Sequence, residues 1–381
     1  MDYIAINATA LFKSRKTGVE WYSFQLLKYL SRVWQRGDPK VVLFAPQNLI
    51  KRSNPHNFMA LKNPRWRLKP LKGKYFWTQR VLRNFLRRRP PLLLLSPSYV
   101  APVFLKKSIP TLTVVHGLEG EYFPEVKSAQ KTISEYVFYL PALKKTTKII
   151  AVSKHTQEDL VHFFGLPRER ISVVLSGPGT LDDAQVKALE SQPPRKNKKV
   201  FNFLFVGGGE ERKNLETGLR IFNAFQKQCR QQCRLFVSGS LKRKSKILER
   251  LLKENPQNII KLGYVSETAK IKYLKKCHFL LYPSFYEGFG FPVLEAQMFN
   301  TVHVIIKGSG VAEIGGQGII EVNPASQEQE LAVELLKVTN SPAGYRRLQE
   351  LGRQNVQKYS WRRCAEEVRK ILLNCSHKDN Q

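Results

Sequence analysis

The stretch Phe279-Leu-Leu-Tyr-Pro-Ser284, followed by Glu287-Gly-Phe-Gly-Phe-Pro-Val-Leu-Glu295, predicts a buried strand, a glycine-rich turn and a helix in direct succession. Pro292 suits the first turn of a helix, where a missing N–H costs nothing. Gly288 and Gly290 can adopt positive φ and let a ligand approach the backbone. The N–H groups of the helix start, at the positive end of the dipole, form a seat for phosphate. Glu287 and Glu295 flank this seat and can accept hydrogen bonds from sugar hydroxyls, so the stretch predicts a nucleotide-sugar site.

The same motif, Glu-Gly-Phe-Gly-Phe-Pro-x-x-Glu, resembles the E-x7-E signature of the retaining glycosyltransferases of family 4, also called group 1. The resemblance implies the GT-B fold, in which two Rossmann-like, doubly wound α/β domains face a central cleft. It implies that Glu287 is catalytic beside the donor sugar hydroxyls and that Glu295 binds the nucleotide ribose. It also implies that the donor loop binds phosphate or sugar oxygens through Gly288, Phe289, Gly290 and Phe291.

A second glycine-rich turn, Phe205-Val-Gly-Gly-Gly-Glu-Glu-Arg-Lys-Asn-Leu215, lies between a predicted strand and a helix with Asn214 as its N-cap. Gly207 and Gly208 allow close approach of an anion, and Lys213 can meet a diphosphate as a point charge. The family has a similar segment, in which the lysine neutralises the leaving diphosphate. Many members carry an arginine where this chain has Gly208, so either Lys213 acts alone or Arg212 takes part.

Two segments of the amino-terminal half are also similar to elements of the family. His116 follows a predicted strand, at the edge where open α/β sheets bind ligands. The family has a histidine near the reacting sugar in a Val-His-Asp segment, although Gly117 replaces the aspartate here. The segment Thr17-Gly-Val-Glu-Trp-Tyr-Ser23 is similar to the element whose glycine turns a helix N-terminus toward the diphosphate, which makes Gly18 a candidate binding residue.

Apolar runs alternate with helical patterns along the whole chain, which predicts parallel sheets. Thr111-Leu-Thr-Val-Val115 is one of the predicted strands, and Ser153 is the predicted cap of the helix that follows another. The pattern breaks at Ser176-Gly-Pro-Gly179 and at the polar, proline-rich segment 192–199. We therefore predict an acceptor-side domain over 1–177, a linker over 178–199 and a nucleotide-sugar domain over 200–355. A final helix, about 359–375 with Ser360 as N-cap, is expected to pack back on the first domain, as in the family.

The composition of the 381-residue chain excludes several classes of protein. The N-terminus lacks the basic region of a signal peptide, and the longest apolar stretch, 92–105, is broken by prolines and too short to span a bilayer. Five cysteines at irregular spacing fit a reducing compartment. We therefore expect a cytoplasmic protein.

The net charge of +33 is unevenly distributed. Residues 39–118 contain no Asp or Glu and hold sixteen basic residues, with aromatic residues such as Trp66 and Phe76 between them. This pattern suits an anionic membrane surface or single-stranded nucleic acid, and a generally basic, solvated face would also account for it. We expect a peripheral position on the inner face of the cell membrane, and nucleic acid is not the partner expected. The basic residues are Lys40, Lys51, Arg52, Lys62, Arg65, Arg67, Lys69, Lys72, Lys74, Arg80, Arg83, Arg87, Arg88, Arg89, Lys106 and Lys107.

The combined prediction is a retaining hexosyltransferase that moves a sugar from a UDP- or GDP-sugar to a hydroxyl of a lipid-linked or cell-envelope glycan. The sequence contains no Asp-x-Asp motif, and its seven histidines are scattered, so neither a metal nor another cofactor is expected. Two alternatives stay open. A nucleotide-sugar epimerase with GT-B-like domains would convert the donor without an acceptor. A non-catalytic polyanion-binding protein would ignore nucleotide-sugars, and Gly208 is the feature that favours it.

Overall fold

A computed structural model describes residues 2–14, 16–53, 56–61, 63–73, 75–98, 101–124, 135–191, 196, 199–241 and 245–376. Lys62 and Lys74 of the basic stretch, most of the segment 192–199 and the end of the chain lie outside these ranges. The chain divides into two compact units, Met1–Asp182 with Tyr359–Gln381, and Asp183–Lys358. Within the described ranges, no helix combines the length and the apolarity that crossing a bilayer requires.

The first unit is built on a seven-stranded parallel sheet. The strands are β1 Tyr3–Asn7, β2 Lys40–Pro46, β3 Trp66–Leu71, β4 Leu93–Ser96, β5 Thr111–Val115, β6 Lys148–Ala151 and β7 Ile171–Val173. Their order in the sheet is β3-β2-β1-β4-β5-β6-β7. Ile4 of β1 lies between Val41 of β2 and Leu93 of β4, so the strand order reverses at β1. The helices are Gly18–Val33, Gln47–Arg52, His56–Met59, Arg83–Arg88, Glu119–Tyr122, Leu140–Lys145, Lys154–Phe164 and Trp361–Ser376, with 3-10 turns Thr9–Phe12 and Arg168–Arg170 and π-turns Thr78–Leu82 and Glu135–Tyr139.

The second unit has a six-stranded parallel sheet. The strands are β8 Val200–Val206, β9 Gln232–Ser238, β10 Ile259–Gly263, β11 Phe279–Leu281, β12 Val302–Ile306 and β13 Ile319–Val322. Their order in the sheet is β10-β9-β8-β11-β12-β13. The helices are Asp183–Ser191, Leu215–Gln228, Lys246–Glu254, Glu267–Lys276, Phe291–Met298, Val311–Gly315, Glu328–Leu331, Val333–Asn340 and Pro342–Val356, with the 3-10 turn Glu211–Lys213. The segment predicted as a linker thus contains the helix Asp183–Ser191.

Aromatic side chains fill the core of the second unit. Phe203 on β8 stacks on Phe279 of the neighbouring β11, with ring centroids 5.0 Å apart. Phe222 and Phe225, on the helix that follows β8, pack edge-on against Phe203. These large buried side chains hold β8 beside β11 and fix the helix over them, which sets where the loops after both strands can reach.

The C-terminal helix, Trp361–Ser376, packs on the first unit. Trp361 is fully buried, its ring meets Tyr22 of the helix Gly18–Val33, and its Nε1–H donates to the carbonyl of Gly179 at 3.1 Å. Arg369 adds a two-pronged ion pair with Asp38, with both N–O distances 2.6 Å. Ser360 lies just before the helix, and its Oγ accepts from the backbone N–H of Arg363 at 3.4 Å, as predicted for the N-cap. The C-terminal helix therefore completes the first unit rather than the second.

Candidate active site

The central feature of the second unit is the point where its strand order reverses. β8 pairs with β9 on one side and with β11 on the other, and all these pairs are parallel. The carboxyl ends of β8 and β11 therefore lie side by side, and the loops that follow them leave from the same edge. In open α/β sheets this reversal opens the crevice in which ligands bind. Both glycine-rich segments predicted from the sequence start here.

The loop after β8 folds into a tight turn that directs Lys213 inward. Gly207 and Gly208 have φ of +136° and +64°, and their N–H groups both donate to the carbonyl of Ser238. A Cβ on Gly207 would lie 2.6 Å from Cγ of Lys213, so only glycine lets the lysine stem pass. The turn Glu211–Lys213 then leads into the helix Leu215–Gln228, capped by Asn214, whose Oδ1 accepts from the N–H of Thr217 at 3.3 Å.

Glu287, in the loop after β11, is the carboxylate at which the two loops meet. Its Oε1 accepts a hydrogen bond from Nζ of Lys213 and lies 3.3 Å from Nη1 of Arg212. The Nζ of Lys213 also donates to the hydroxyl of Tyr282 at 3.1 Å, and the N–H of Phe285 donates to the carbonyl of Arg212 at 2.8 Å. One backbone hydrogen bond and a shared carboxylate thus join the two predicted segments.

The charges of this cluster shift the pKa values of its members. Burial alone would raise the pKa of Glu287, but the positive charges of Lys213 and Arg212 outweigh it and hold that pKa below its usual value. Burial lowers the pKa of Lys213, and the negative charge of Glu287 opposes this effect. Glu287 is therefore ionised at neutral pH and fixes the lysine in place.

Glu295 lies on the helix Phe291–Met298, whose N-cap is Gly290. Gly290 has φ of +93°, as predicted for that glycine, whereas Gly288 is not among the positive-φ residues. Gly290 has no side chain that could cap the helix start. The Glu295 side chain is 3% exposed, and its Oε2 lies 2.7 Å from Nζ of Lys270. Lys270 also pairs with Glu267 at 2.7 Å.

In the first unit, Gly18 is the first residue of the helix Gly18–Val33, directly after the N-cap Thr17. Glu20 closes a capping box by accepting from the N–H of Thr17 at 2.9 Å, and it pairs with Lys13 at 2.7 Å. A carboxylate therefore already occupies the positive end of this helix, which a sequence match to the family element does not reveal. A role for Gly18 in diphosphate binding stays a prediction.

His116 follows β5 directly and is held by the loop after the neighbouring β4. Its Nε2 lies 2.7 Å from the carbonyl of Pro97, and its ring meets Tyr22 edge-on at 4.6 Å. Because a carbonyl can only accept, Nε2 carries the proton and Nδ1 keeps its lone pair. Burial lowers the pKa of His116 to about 4, so the ring is neutral at pH 7.

The sequences of both units match known families. Residues 16–177 match "Glycosyltransferase Family 4", and residues 186–355 match "Glycosyl transferases group 1". The chain belongs to glycosyltransferase family 4. An uncharacterized glycosyltransferase of Methanocaldococcus jannaschii is 26% identical over 275 residues, 71% of this chain and 70% of the relative. O-antigen chain mannosyltransferase B of Escherichia coli is 22% identical over 283 residues, 71% of each protein.

Solved structures show the fold of this family 4 glycosyltransferase. WaaG, a glycosyltransferase involved in lipopolysaccharide biosynthesis, matches with a TM-score of 0.65 at 13% identity, over 97% of this chain and 99% of WaaG. Anabaena HepE, solved with UDP and glucose, matches with a TM-score of 0.67 at 14% identity, over 98% of this chain and all of HepE. The predicted family and the predicted GT-B class, with two parallel α/β domains, are confirmed.

In this family 4 glycosyltransferase, Gly208 stands where many family members carry an arginine, and the backbone around it leaves no room for a side chain. A Cβ on Gly208 would lie 2.5 Å from the backbone oxygen of Ser240, so no side chain fits at this position. Arg212 lies instead beside Glu287, and its Nη2 also pairs with Glu210 at 3.0 Å. The second cation of the cluster thus comes from a residue four positions later in the same loop.

Two residues that contact the predicted site residues were not predicted from the sequence. Tyr282 was included only in the apolar run of a predicted strand, although its place at the carboxyl end of β11 was a usable signal. Lys270 lies on the helix Glu267–Lys276, and nothing in the sequence links it to Glu295. Among the described residues, no three His, Cys, Asp or Glu side chains gather where a metal ion could be held.

The lowered pKa of His116 gives a direct prediction. Protonation is disfavoured in the folded state because the ring loses its hydration there, so the imidazole should titrate near pH 4 rather than near its ordinary value of about 6.5. An NMR titration of the histidine ring protons measures this, with the His116→Gln variant assigning the signal. A midpoint between pH 6 and 7 would contradict the burial argument.

Proposed function

We propose that this family 4 glycosyltransferase transfers a hexose from a UDP- or GDP-sugar to a hydroxyl acceptor and retains the anomeric configuration. The observation that carries the proposal is the meeting of Glu287 with Lys213 and Arg212 at the strand-order reversal of the second unit. This cluster provides a carboxylate for sugar hydroxyls and cations for a diphosphate in one place. HepE, a structural neighbour, has been solved with UDP and glucose, which supports a nucleotide-sugar donor.

In the proposed reaction, the bond between C1 of the sugar and the diphosphate oxygen breaks, and the electron pair leaves on that oxygen. Lys213 and Arg212 stabilise the charge that develops there. The acceptor oxygen forms its bond to C1 on the face that the diphosphate leaves, and its proton passes to the departing diphosphate oxygen. Glu287 orients the sugar hydroxyls and holds Lys213, while Glu295 binds the ribose. Because fixed cations carry out the charge stabilisation, we propose that no metal or other cofactor is needed.

For the acceptor, we propose a lipid-linked or cell-envelope glycan, with the enzyme at the cytoplasmic face of an anionic membrane. The O-antigen mannosyltransferase of Escherichia coli is a relative of this chain, which supports polysaccharide biosynthesis as the setting. The acid-free basic stretch of residues 39–118 supports the membrane position, since such surfaces attract anionic lipid headgroups.

Thermal unfolding in the presence of nucleotides tests the donor site. UDP, GDP, ADP and their common sugar conjugates are compared, and one nucleotide class is expected to raise the unfolding midpoint. A ligand at about a hundred times its Kd stabilises a protein by roughly 2.7 kcal/mol, which such a scan detects.

The Glu295→Ala variant is the control for this scan, because it removes the proposed ribose contact without touching Glu287. The shift should disappear in the variant. If none of the nucleotides shifts the wild type, the donor site is wrong and a non-catalytic polyanion-binding protein becomes the better explanation. If the donor sugar is converted without any acceptor, the protein is an epimerase.

A further inference from the structure

The first unit contains a cavity at the amino ends of its strands, on the side of the sheet opposite to His116. Its lining comes from residues at or shortly before the starts of three neighbouring strands, β4, β5 and β6: Arg87, the segment 101–107, Thr111 and Lys145. His116, by contrast, follows the carboxyl end of β5. The cavity measures about 570 Å³ and continues into a groove of about 420 Å³, which shares Arg87 and Lys106 with it. Together they form what we call the basic pocket.

Positive charge dominates the basic pocket. Arg87, Lys106, Lys107 and Lys145 line the cavity, Arg88 lines the groove, and all five side chains are exposed. Within the part of the chain that the structure describes, none of the five pairs with a carboxylate. Like charges held close together repel, so a bound anion would relieve the repulsion that the fold imposes here.

An exposed aromatic side chain stands at the rim of the basic pocket. Phe104 is 61% exposed, and Nζ of Lys145 lies 5.4 Å from the centre of its ring. The loop that carries it is anchored, because the N–H of Val103 donates to Oε1 of Gln79 at 2.9 Å. An exposed ring on an anchored loop, among lysine and arginine side chains, suits a membrane interface, where the ring enters the boundary of the acyl chains and the cations meet phosphates.

We propose that the basic pocket binds the phosphate of an anionic phospholipid headgroup and so attaches the first unit to a membrane. The proposal rests on the membrane attachment proposed above and is independent of the donor site. The volume fits one small ligand rather than a polymer, since such sites measure about 300–1,000 Å³. Single-stranded nucleic acid would need several exposed rings in a row for stacking successive bases, whereas Phe104 is the only aromatic residue among the described residues of the lining.

Sedimentation of the full-length protein with vesicles tests the proposal. The vesicles contain phosphatidylcholine alone or phosphatidylcholine mixed with phosphatidylglycerol. The double variant Arg87→Gln/Lys106→Gln removes two charges from the basic pocket. Its matched control, Lys51→Gln/Arg52→Gln, removes two exposed charges from the helix Gln47–Arg52. This helix follows the carboxyl end of β2, whereas the basic pocket lies at the amino ends of the strands.

Because a basic residue near an anionic surface contributes on the order of fivefold in affinity, the pocket variant should bind the anionic vesicles roughly tenfold or more weakly. The control should stay within about threefold of the wild type, since its charges lie away from the bound phosphate.

A third variant, Phe104→Ser, should weaken vesicle binding even at high salt, because the contact that it removes is apolar and salt screens only interactions between charges. Equal weakening by both double variants would overturn the pocket and leave only a generally basic face. Failure of the wild type to bind anionic vesicles would overturn the membrane attachment itself, whatever the nucleotide scan shows. Vesicle binding that the pocket variant keeps, together with binding of inorganic phosphate that it loses, would assign the pocket to free phosphate and overturn the lipid assignment. Tighter binding of a single-stranded oligonucleotide that the pocket variant loses would also overturn it.

Discussion

Replacing Lys213 with glutamine is expected to slow sugar transfer on the order of 10²–10³-fold, the usual effect of removing one group that stabilises developing charge. Lys213 is held against Glu287 and Tyr282 at the edge where β8 and β11 end, and Arg212 is the other cation of the cluster. The variant keeps Arg212 and Glu295, so the nucleotide should still raise the unfolding midpoint. The expected defect is therefore in the chemical step, in kcat, rather than in donor binding.

The assay follows release of the nucleoside diphosphate from the donor that the nucleotide scan identifies, with a membrane lipid extract as acceptor and with water alone. Lys253→Gln serves as the control, since Lys253 is an exposed lysine of the same unit and is remote in sequence from both loops. Equal rates with EDTA and with Mg²⁺ would agree with the metal-free proposal. A Lys213→Gln rate within a few-fold of wild type would rule out Lys213 as the charge-stabilising group.

Replacing Lys270 with methionine is expected to lower the free energy of unfolding by about 3–5 kcal/mol, the range for breaking a buried ion pair by removing one partner. Nζ of Lys270 lies 2.7 Å from both Glu295 and Glu267, and Glu295 would be left buried without a counter-ion. Burial alone would lower the pKa of Lys270, but the two carboxylates outweigh it and raise that pKa. A raised folded-state pKa means that the stabilisation is complete at neutral pH and is lost only as the pH rises above the ordinary lysine value of about 10.4.

Guanidinium unfolding at pH 7 measures this effect, with Lys272→Met as the matched control on the same helix, since Lys272 is exposed. The double variant Lys270→Met/Glu295→Gln should recover part of the lost stability, because it removes the stranded charge as well. A Lys270→Met loss no larger than that of the control would show that the pair contributes nothing to stability.

Several elements were predictable because their signals are local. The apolar run at β5 predicted that strand within its observed bounds, Thr111–Val115, and Ser153 caps the helix Lys154–Phe164 as its sequence indicated. β3, Trp66–Leu71, was missed because its sequence is charged and contains Pro70. It is the edge strand of its sheet, next to β2, and an edge tolerates both features. The helix Asp183–Ser191 was missed because it lies between the two breaks in the pattern, at 176–179 and 192–199, that suggested a linker.

The site shows the same division between local and non-local information. The sequence by itself determined the strand, the glycine turn and the helix around Glu287 and Glu295, because φ preference, capping and apolar periodicity act over a few residues. Only the tertiary structure brought Lys213 to Glu287, 74 positions away, and Lys270 to Glu295. The pairing order of a parallel sheet places β8 next to β11, and this order arises from packing between distant segments. For the same reason, the sequence around Gly208 does not reveal that the backbone of Ser240 leaves no room for a side chain there.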